Sequence, residues 1–179
     1  MDRCAWATSS PEYVAYHDEE WGTPLHGDDA LYERVTLEAF QSGLSWITIL
    51  RKRENFRAAF DGFRIDAVAE YGPAEVTRLM ADAGIVRNRA KVDAAIGNAR
   101  AAQQLPAGLD ALLWSFAPEP SRPRPATLAD VPATSPESAA MAKQLKRQGF
   151  RFVGPTTAYA LMQATGMVDD HVTTCWRAG

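Results

Sequence analysis

The feature that most constrains this chain is its punctuation. Apolar residues recur three and four apart between proline-led starts and glycine stops, and no segment alternates apolar and polar convincingly. Gly72-Pro73-Ala74-Glu75 opens one run that carries Val76, Leu79 and Met80 and stops at Gly84. Ser135-Pro136-Glu137 opens another with Met141 and Leu145, ended by Gly149, and Gly154-Pro155-Thr156 opens a last one with Tyr159, Leu161 and Met162, closed by Gly166. Proline fits the first helical turn because its missing N–H would have no partner there. The expected fold class is therefore all-α. Between Ala117 and Pro136 six prolines break every pattern, which reads as a surface connection. With 179 residues, 1–179 is expected to form one domain. No apolar run approaches the roughly 20 residues that cross a bilayer, and the start lacks a signal-peptide core. The expectation is a cytoplasmic protein with no membrane partner.

The second informative stretch runs from Leu37 to Ile47. If Asp28 and Asp29 cap a helix, Leu31, Val35 and Glu38 fall on one stripe, so a carboxylate stands where a core residue belongs. An ionised Glu without partners costs on the order of several kcal/mol to bury, so it is paired, protonated or aimed into a cavity. Gly43 suits a helix stop, Leu44 then sits on an exposed corner, and Ser45 can cap a second helix with Trp46, Ile49 and Leu50 on one face. Glu38 and Trp46 thus flank one turn. An acceptor beside an aromatic plane can hold a flat heterocycle with N–H donors, such as a nucleobase. The competing reading is a Glu paired with a buried Arg and a Trp in the core.

The aromatic segment from Cys4 to Trp21 holds Trp6, Tyr13, Tyr16 and Trp21, and reads as an arm packed over a helical core. Arg51-Lys52-Arg53-Glu54-Asn55-Phe56-Arg57 reads as a solvated face or a phosphate contact. Phe60, Phe63, Ile65 and Val68 continue a core-facing pattern, and Leu109 to Phe116 forms a short helix with Trp114 inward. Net charge is −3, so any nucleic-acid contact must come from a local basic face. One candidate is the helical hairpin at about 74–104, where Gly84, Ile85 and Val86 lead into Arg87, Arg89 and Lys91. Free N–H groups there suit a phosphate.

The chain has two cysteines and three histidines. His171 and Cys175 lie four apart near the end, and Cys4 and His17 lie near the start. Two Cys and two His make a closed tetrahedral set of the kind structural zinc prefers, stapling 4–17 to 171–175. Two unliganded thiols are the alternative. His26 reads as ordinary surface.

The opening Arg3-Cys4-x-Trp6, the run Tyr16-His17-Asp18-x-Glu20-Trp21-Gly22, Glu38-x-x-Gln41-x-Gly43-Leu44-Ser45-Trp46, Lys52-Arg53-Glu54-Asn55, Asp82-Ala83-Gly84-Ile85, Ile96-Gly97-Asn98-Ala99 and Asp170-His171 resemble the bacterial DNA-3-methyladenine glycosylase I (Tag) family over nearly the whole chain. The resemblance implies a helix-hairpin-helix glycosylase fold and one structural Zn²⁺ on Cys4, His17, His171 and Cys175. It implies a pocket of Glu38, Tyr16 and Trp46, with Trp6, Tyr13 and Trp21 as further base-binding aromatics and Glu38 as the catalytic residue. Gln41, Gly43, Leu44, Gly84, Arg87 and Lys91 would meet double-stranded DNA containing 3-methyladenine. The implied reaction is monofunctional hydrolysis by a monomer. Pro155 and Ala160 depart from the small hydroxyl residues expected of the family. The reading from another class is a zinc-stapled DNA-binding module without chemistry.

Overall fold

The computed structural model describes residues 1–118 and 123–178. Among them every regular element is helical: α1 (Pro11–Glu19), α2 (Asp28–Gln41), α3 (Trp46–Ala59), α4 (Ile65–Ala69), α5 (Pro73–Ala81), α6 (Arg89–Gln103), α7 (Gly108–Trp114), α8 (Pro136–Arg147) and α9 (Pro155–Ala164). Short 3-10 turns lie at Ala5–Thr8, Asp61–Phe63 and Leu128–Asp130. The connection from Ala117 to Pro136 runs over the surface where it is described; residues 119–122 lie outside the described part. No helix of the described residues is long and apolar enough to cross a membrane.

α2 is the axis of the molecule. It packs against α3, α4, α6, α7 and α9, and from Leu31 to Phe40 every residue except Glu33 is buried. A helix covered on all sides has no solvent face. That is why Arg34, Thr36 and Glu38 are carried inside along with Leu31, Val35 and Leu37. Phe40, Phe56, Phe60 and Phe63 are wholly buried around it, with Phe60 stacked on Phe63 at 5.4 Å. Each contributes about 1.5–3 kcal/mol by burial.

The local chemistry corrects several expectations. Gly27, at φ +100°, is the residue before α2, and Asp28 and Asp29 lie inside its first turn. Their carboxylates accept from other elements, Asp28 from the N–H of Asp110 at 2.8 Å and Asp29 from the N–H of Ile65 at 2.8 Å. α1 was invisible as a helix because Tyr16 and His17 are both buried, which erases the period. Its start, Ser10 accepting from the N–H of Tyr13 and Pro11 at the first position, follows the ordinary rule.

α5 and α6 are consecutive helices packed against each other, with α5 ending at Ala81 and the Asn88 side chain capping α6. A second such pair, α8–α9, closes through residues 148–154. Arg51 to Arg57 is less solvated than expected. Arg51 pairs with Glu12, Arg53 with Glu20 and Arg57 with Glu33. The Lys52 ammonium donates to the carbonyls of Ala83 and Gly84, bracing the α5–α6 turn from α3. His26 is exposed but tethered, bonded to Asp110 and stacked on Trp114.

Candidate active site

A cavity of about 420 Å³ opens where α2 and α3 meet the N-terminal segment and α9. Glu38 from α2 and Trp46 from the first position of α3 line one part of it. Trp6, Tyr13, Tyr16 and Trp21 line another. The turn between Glu38 and Trp46 holds as expected, with Gly43 at φ +81°, a conformation that side-chain-bearing residues avoid. Ser45 precedes α3, but its hydroxyl pairs with that of Thr48. The cap comes from another helix: the Tyr13 hydroxyl oxygen accepts from the N–H of Ile47 at 3.0 Å. Tyr13 therefore fixes the helix start that carries Trp46.

The aromatic walls are mutually braced. Trp6 meets Trp21 edge-on at 5.1 Å and Tyr13 at 5.7 Å, and the Tyr16 ring lies 5.6 Å from that of Trp46. Tyr16 is buried, and burial raises its pKa above the ordinary phenol value, so the hydroxyl stays neutral.

Glu38 is the anomaly. It is 4% exposed and borders the cavity, yet among the described residues no donor reaches its carboxylate. Burial pushes its pKa up to about 8 against the pull of the Arg34 guanidinium. A carboxyl in that state has unused acceptor capacity and titrates near neutrality. A planar ligand entering between the rings would supply the missing donors.

Leu44, 39% exposed, tips the turn beside this cavity. The turn is fastened twice: Gln41 donates through its side-chain amide to the carbonyl of Leu44, and the Lys91 ammonium donates to the carbonyls of Phe40 and Ser42. Lys91 is 7% exposed, and burial lowers its pKa. Its reading as a phosphate contact gives way to bracing the turn, because both carbonyls end α2 with no helical partner. Gly84 is likewise engaged. Its N–H donates to Asp82 Oδ1 at 2.7 Å, and a Cβ there would press on Asp82 and Asn55. Arg87, two residues before α6, remains exposed.

Sequence reasoning missed Leu128, Val131 and Gln163, which also line the cavity. Ala160 and Gln163 are three apart on α9, a helical-face signal that could have found the second from the first. Ala160, one of the two departures, is in the lining; Pro155 sits at the first turn of α9 and is not.

Behind the aromatic wall lie Cys4, His17, His171 and Cys175, all buried, with their ligand atoms within 4.8 Å of one another. The imidazoles are oriented from outside. His171 Nε2 faces the carbonyl of Trp21 at 3.2 Å, so it carries the proton and leaves Nδ1, 3.5 Å from Cys175 Sγ, as a lone pair. His17 Nδ1 faces Asp18 at 2.8 Å, leaving Nε2 toward Cys175 Sγ at 3.4 Å. Burial holds His171 below its ordinary pKa, and therefore neutral, and pushes the Cys4 thiol up to about 11. Two imidazole lone pairs and two sulfurs converging on one dry point fit a thiophilic cation held by a supporting shell.

Fold and site together define an all-α protein with an aromatic, carboxylate-bearing cavity with room for a nucleobase, backed by a Cys₂His₂ cluster. The family model for methyladenine glycosylases matches residues 6–178, and the chain belongs to that family. It is 46% identical to DNA-3-methyladenine glycosylase 1 of Escherichia coli (strain K12), over 98% of this chain and 96% of that protein. The crystal structure of a 3-methyladenine DNA glycosylase I superposes with a TM-score of 0.93 at 44% identity, covering 98% of each chain. A variant of a 3-methyladenine DNA glycosylase I solved in complex with 3-methyladenine has a TM-score of 0.92 at 33% identity, covering 98% of this chain and 97% of that one.

Proposed function

We propose that this chain excises 3-methyladenine from double-stranded DNA by hydrolysing its N-glycosidic bond, leaving an abasic site. The observation that carries the reading is the buried, donorless carboxylate of Glu38 beside Tyr16 and Trp46. The family and the named relatives support it.

Adenine methylated at N3 carries a positive charge while attached to deoxyribose. The base leaves with the electron pair of the glycosidic bond and becomes neutral. Water then adds to the oxocarbenium at C1′ and loses a proton to solvent. Because the leaving group is already activated, the protein's main tasks are to extrude the nucleotide and hold the base. Leu44, on its fastened turn with Gln41 and Gly43, fills the gap left in the stack. Trp46 takes one face of the base, with Trp6, Tyr13 and Trp21 forming the enclosure and Tyr16 adding a polar edge. Glu38 accepts from the exocyclic amine. A carboxyl titrating at about 8 ionises when a cation arrives and stays protonated otherwise, so the charged base is favoured over neutral adenine.

Chemistry through a lysine imine has no residue to run on, since the cavity lining among the described residues includes no lysine. This agrees with the hydrolytic, monofunctional reaction that the family resemblance implies. Arg87 is the exposed phosphate contact of the α5–α6 hairpin, which serves as the helix-hairpin-helix element on the DNA backbone. Zn²⁺ fits Cys4, His17, His171 and Cys175; a closed four-ligand ion supplies cross-linking of the terminal segments and no chemistry. The whole chain acts as one domain and as a monomer.

Release of free bases from DNA treated with a methylating agent, resolved by chromatography, tests this. The wild type releases 3-methyladenine selectively and Glu38→Gln releases less. Duplex binding without base release by folded, zinc-loaded protein overturns it.

A further inference from the structure

Arg34 and Glu38 lie four apart on α2, the spacing at which a cation and a carboxylate ordinarily pair. Both are more than nine-tenths buried, at 7% and 4% exposure. A guanidinium and a carboxyl so placed gain by meeting, because the cation ionises the carboxyl and the two then share the cost of burial. They do not meet. Arg34 Nη2 is turned to Glu20 Oε2, while Arg34 Nη1 is buried and bonds nothing among the described residues. The Arg34 guanidinium carbon lies 5.6 Å from the centre of the Tyr16 ring. Glu38 is left equally without a donor.

Glu20 accounts for the separation. It follows α1 directly and accepts a two-pronged contact from Arg53 on α3, Nη1 to Oε2 and Nη2 to Oε1, each at 2.7 Å. Burial opposes its ionisation, but Arg53 and Arg34 together hold its pKa below the ordinary carboxylate value. One fixed anion thus draws guanidinium groups from two helices, and Arg34 reaches it by leaning away from its own helical neighbour. Such a two-pronged anchor gives direction as well as energy.

We propose that Glu20 is a positioning residue that restrains Arg34, so that Glu38 remains vacant for the base. The inference rests on the base-pocket reading above. Without Glu20, Arg34 swings back to Glu38 and closes an internal ion pair that the entering base must break. The pocket is then competent only in the fraction of molecules where the pair is open, and apparent affinity falls by that fraction.

The test is binding of free 3-methyladenine to the full-length, zinc-loaded protein by calorimetry, with circular dichroism to confirm the fold. Glu20→Ala and the milder Glu20→Gln are compared with the double variant Glu20→Ala/Arg34→Met. Glu20→Ala weakens binding roughly tenfold or more, with Glu20→Gln between it and the wild type. Removing Arg34 as well recovers most of the loss, since nothing remains to occupy Glu38. A double variant as weak as Glu20→Ala, or a Glu20→Gln and a folded Glu20→Ala that bind like the wild type, overturns the proposal. The base-pocket reading fails separately, and takes this inference with it, if the wild type does not bind or if Glu38→Gln binds equally well.

Discussion

The helical core around α2 and the terminal cluster around Cys4, His17, His171 and Cys175 are held together by different physics. The core is a continuous set of apolar side chains with Phe40, Phe56, Phe60 and Phe63 at its centre. The terminal cluster is small: Cys4, Tyr16, Trp21, Ala164, Val172 and Cys175, with Trp6, Trp46 and Leu50 at its edge. The buried Cys₂His₂ set and polar contacts between the two chain ends lie beside it. Arg3 clamps Asp18, and the N–H of Trp176 donates to the carbonyl of Asp2. The cavity lies on the seam, with Glu38 coming from the core and Trp6, Tyr16 and Trp21 from the terminal segments. The core therefore sets stability, and the terminal cluster decides whether the pocket has a wall.

The most severe way to break the comparison is in the core. Phe60→Ala should cost about 3–5 kcal/mol in urea unfolding, with helix content and base binding lost in one transition. Cys175→Ser, or a chelator if the Cys₂His₂ set holds the proposed ion, should act on the other region. Affinity for 3-methyladenine is expected to fall on the order of 100-fold, about 2.7 kcal/mol, while far-UV ellipticity changes little. Helix content collapsing together with affinity would show that the regions are one unit.

The seam has its own signature in pH. The pKa of Glu38 is raised on folding, from 4.5 to about 8, so the native state holds its proton more tightly than the unfolded chain. Wild-type stability should fall as pH rises through that window, by on the order of 2 kcal/mol after allowing for water in the cavity. Glu38→Gln should lack this slope, so thermal melts at pH 5 and pH 9 diverge between the two proteins, with the variant relatively more stable at the higher pH. Parallel melts would mean the carboxyl is not buried alone. The smallest effect belongs to the exposed turn: Leu44→Ala should leave the melting temperature unchanged within about a degree and slow excision roughly tenfold.

The core was legible because helical periodicity and glycine or proline punctuation report directly on burial. The stripe through Leu31, Val35 and Glu38 located both α2 and its misplaced carboxylate. The metal-type cluster was legible for another reason, since few residue types can ligate and nearly all of them here fall into one set. What failed to show was anything decided by tertiary partners. Nothing local to Lys91 says that its ammonium closes the end of α2, and nothing around Gly84 except Asp82 two residues earlier says that its N–H is taken. The Tyr13 cap on α3 and the Arg34–Glu20–Arg53 contact join residues far apart in sequence, as does the approach of Gln163 to the cavity. Such pairings have no period to betray them.

The central claim is that the unpaired carboxyl of Glu38 selects the base. The most direct measurement is the release of free bases from methylated duplex DNA, where the N3-methylated base is still a cation, by the wild type and Glu38→Gln, with 3-methyladenine and adenine resolved side by side. The account predicts that the wild type releases 3-methyladenine and spares adenine, and that Glu38→Gln, still folded, releases 3-methyladenine roughly tenfold or more slowly. A Glu38→Gln protein with undiminished rate and preference would contradict it.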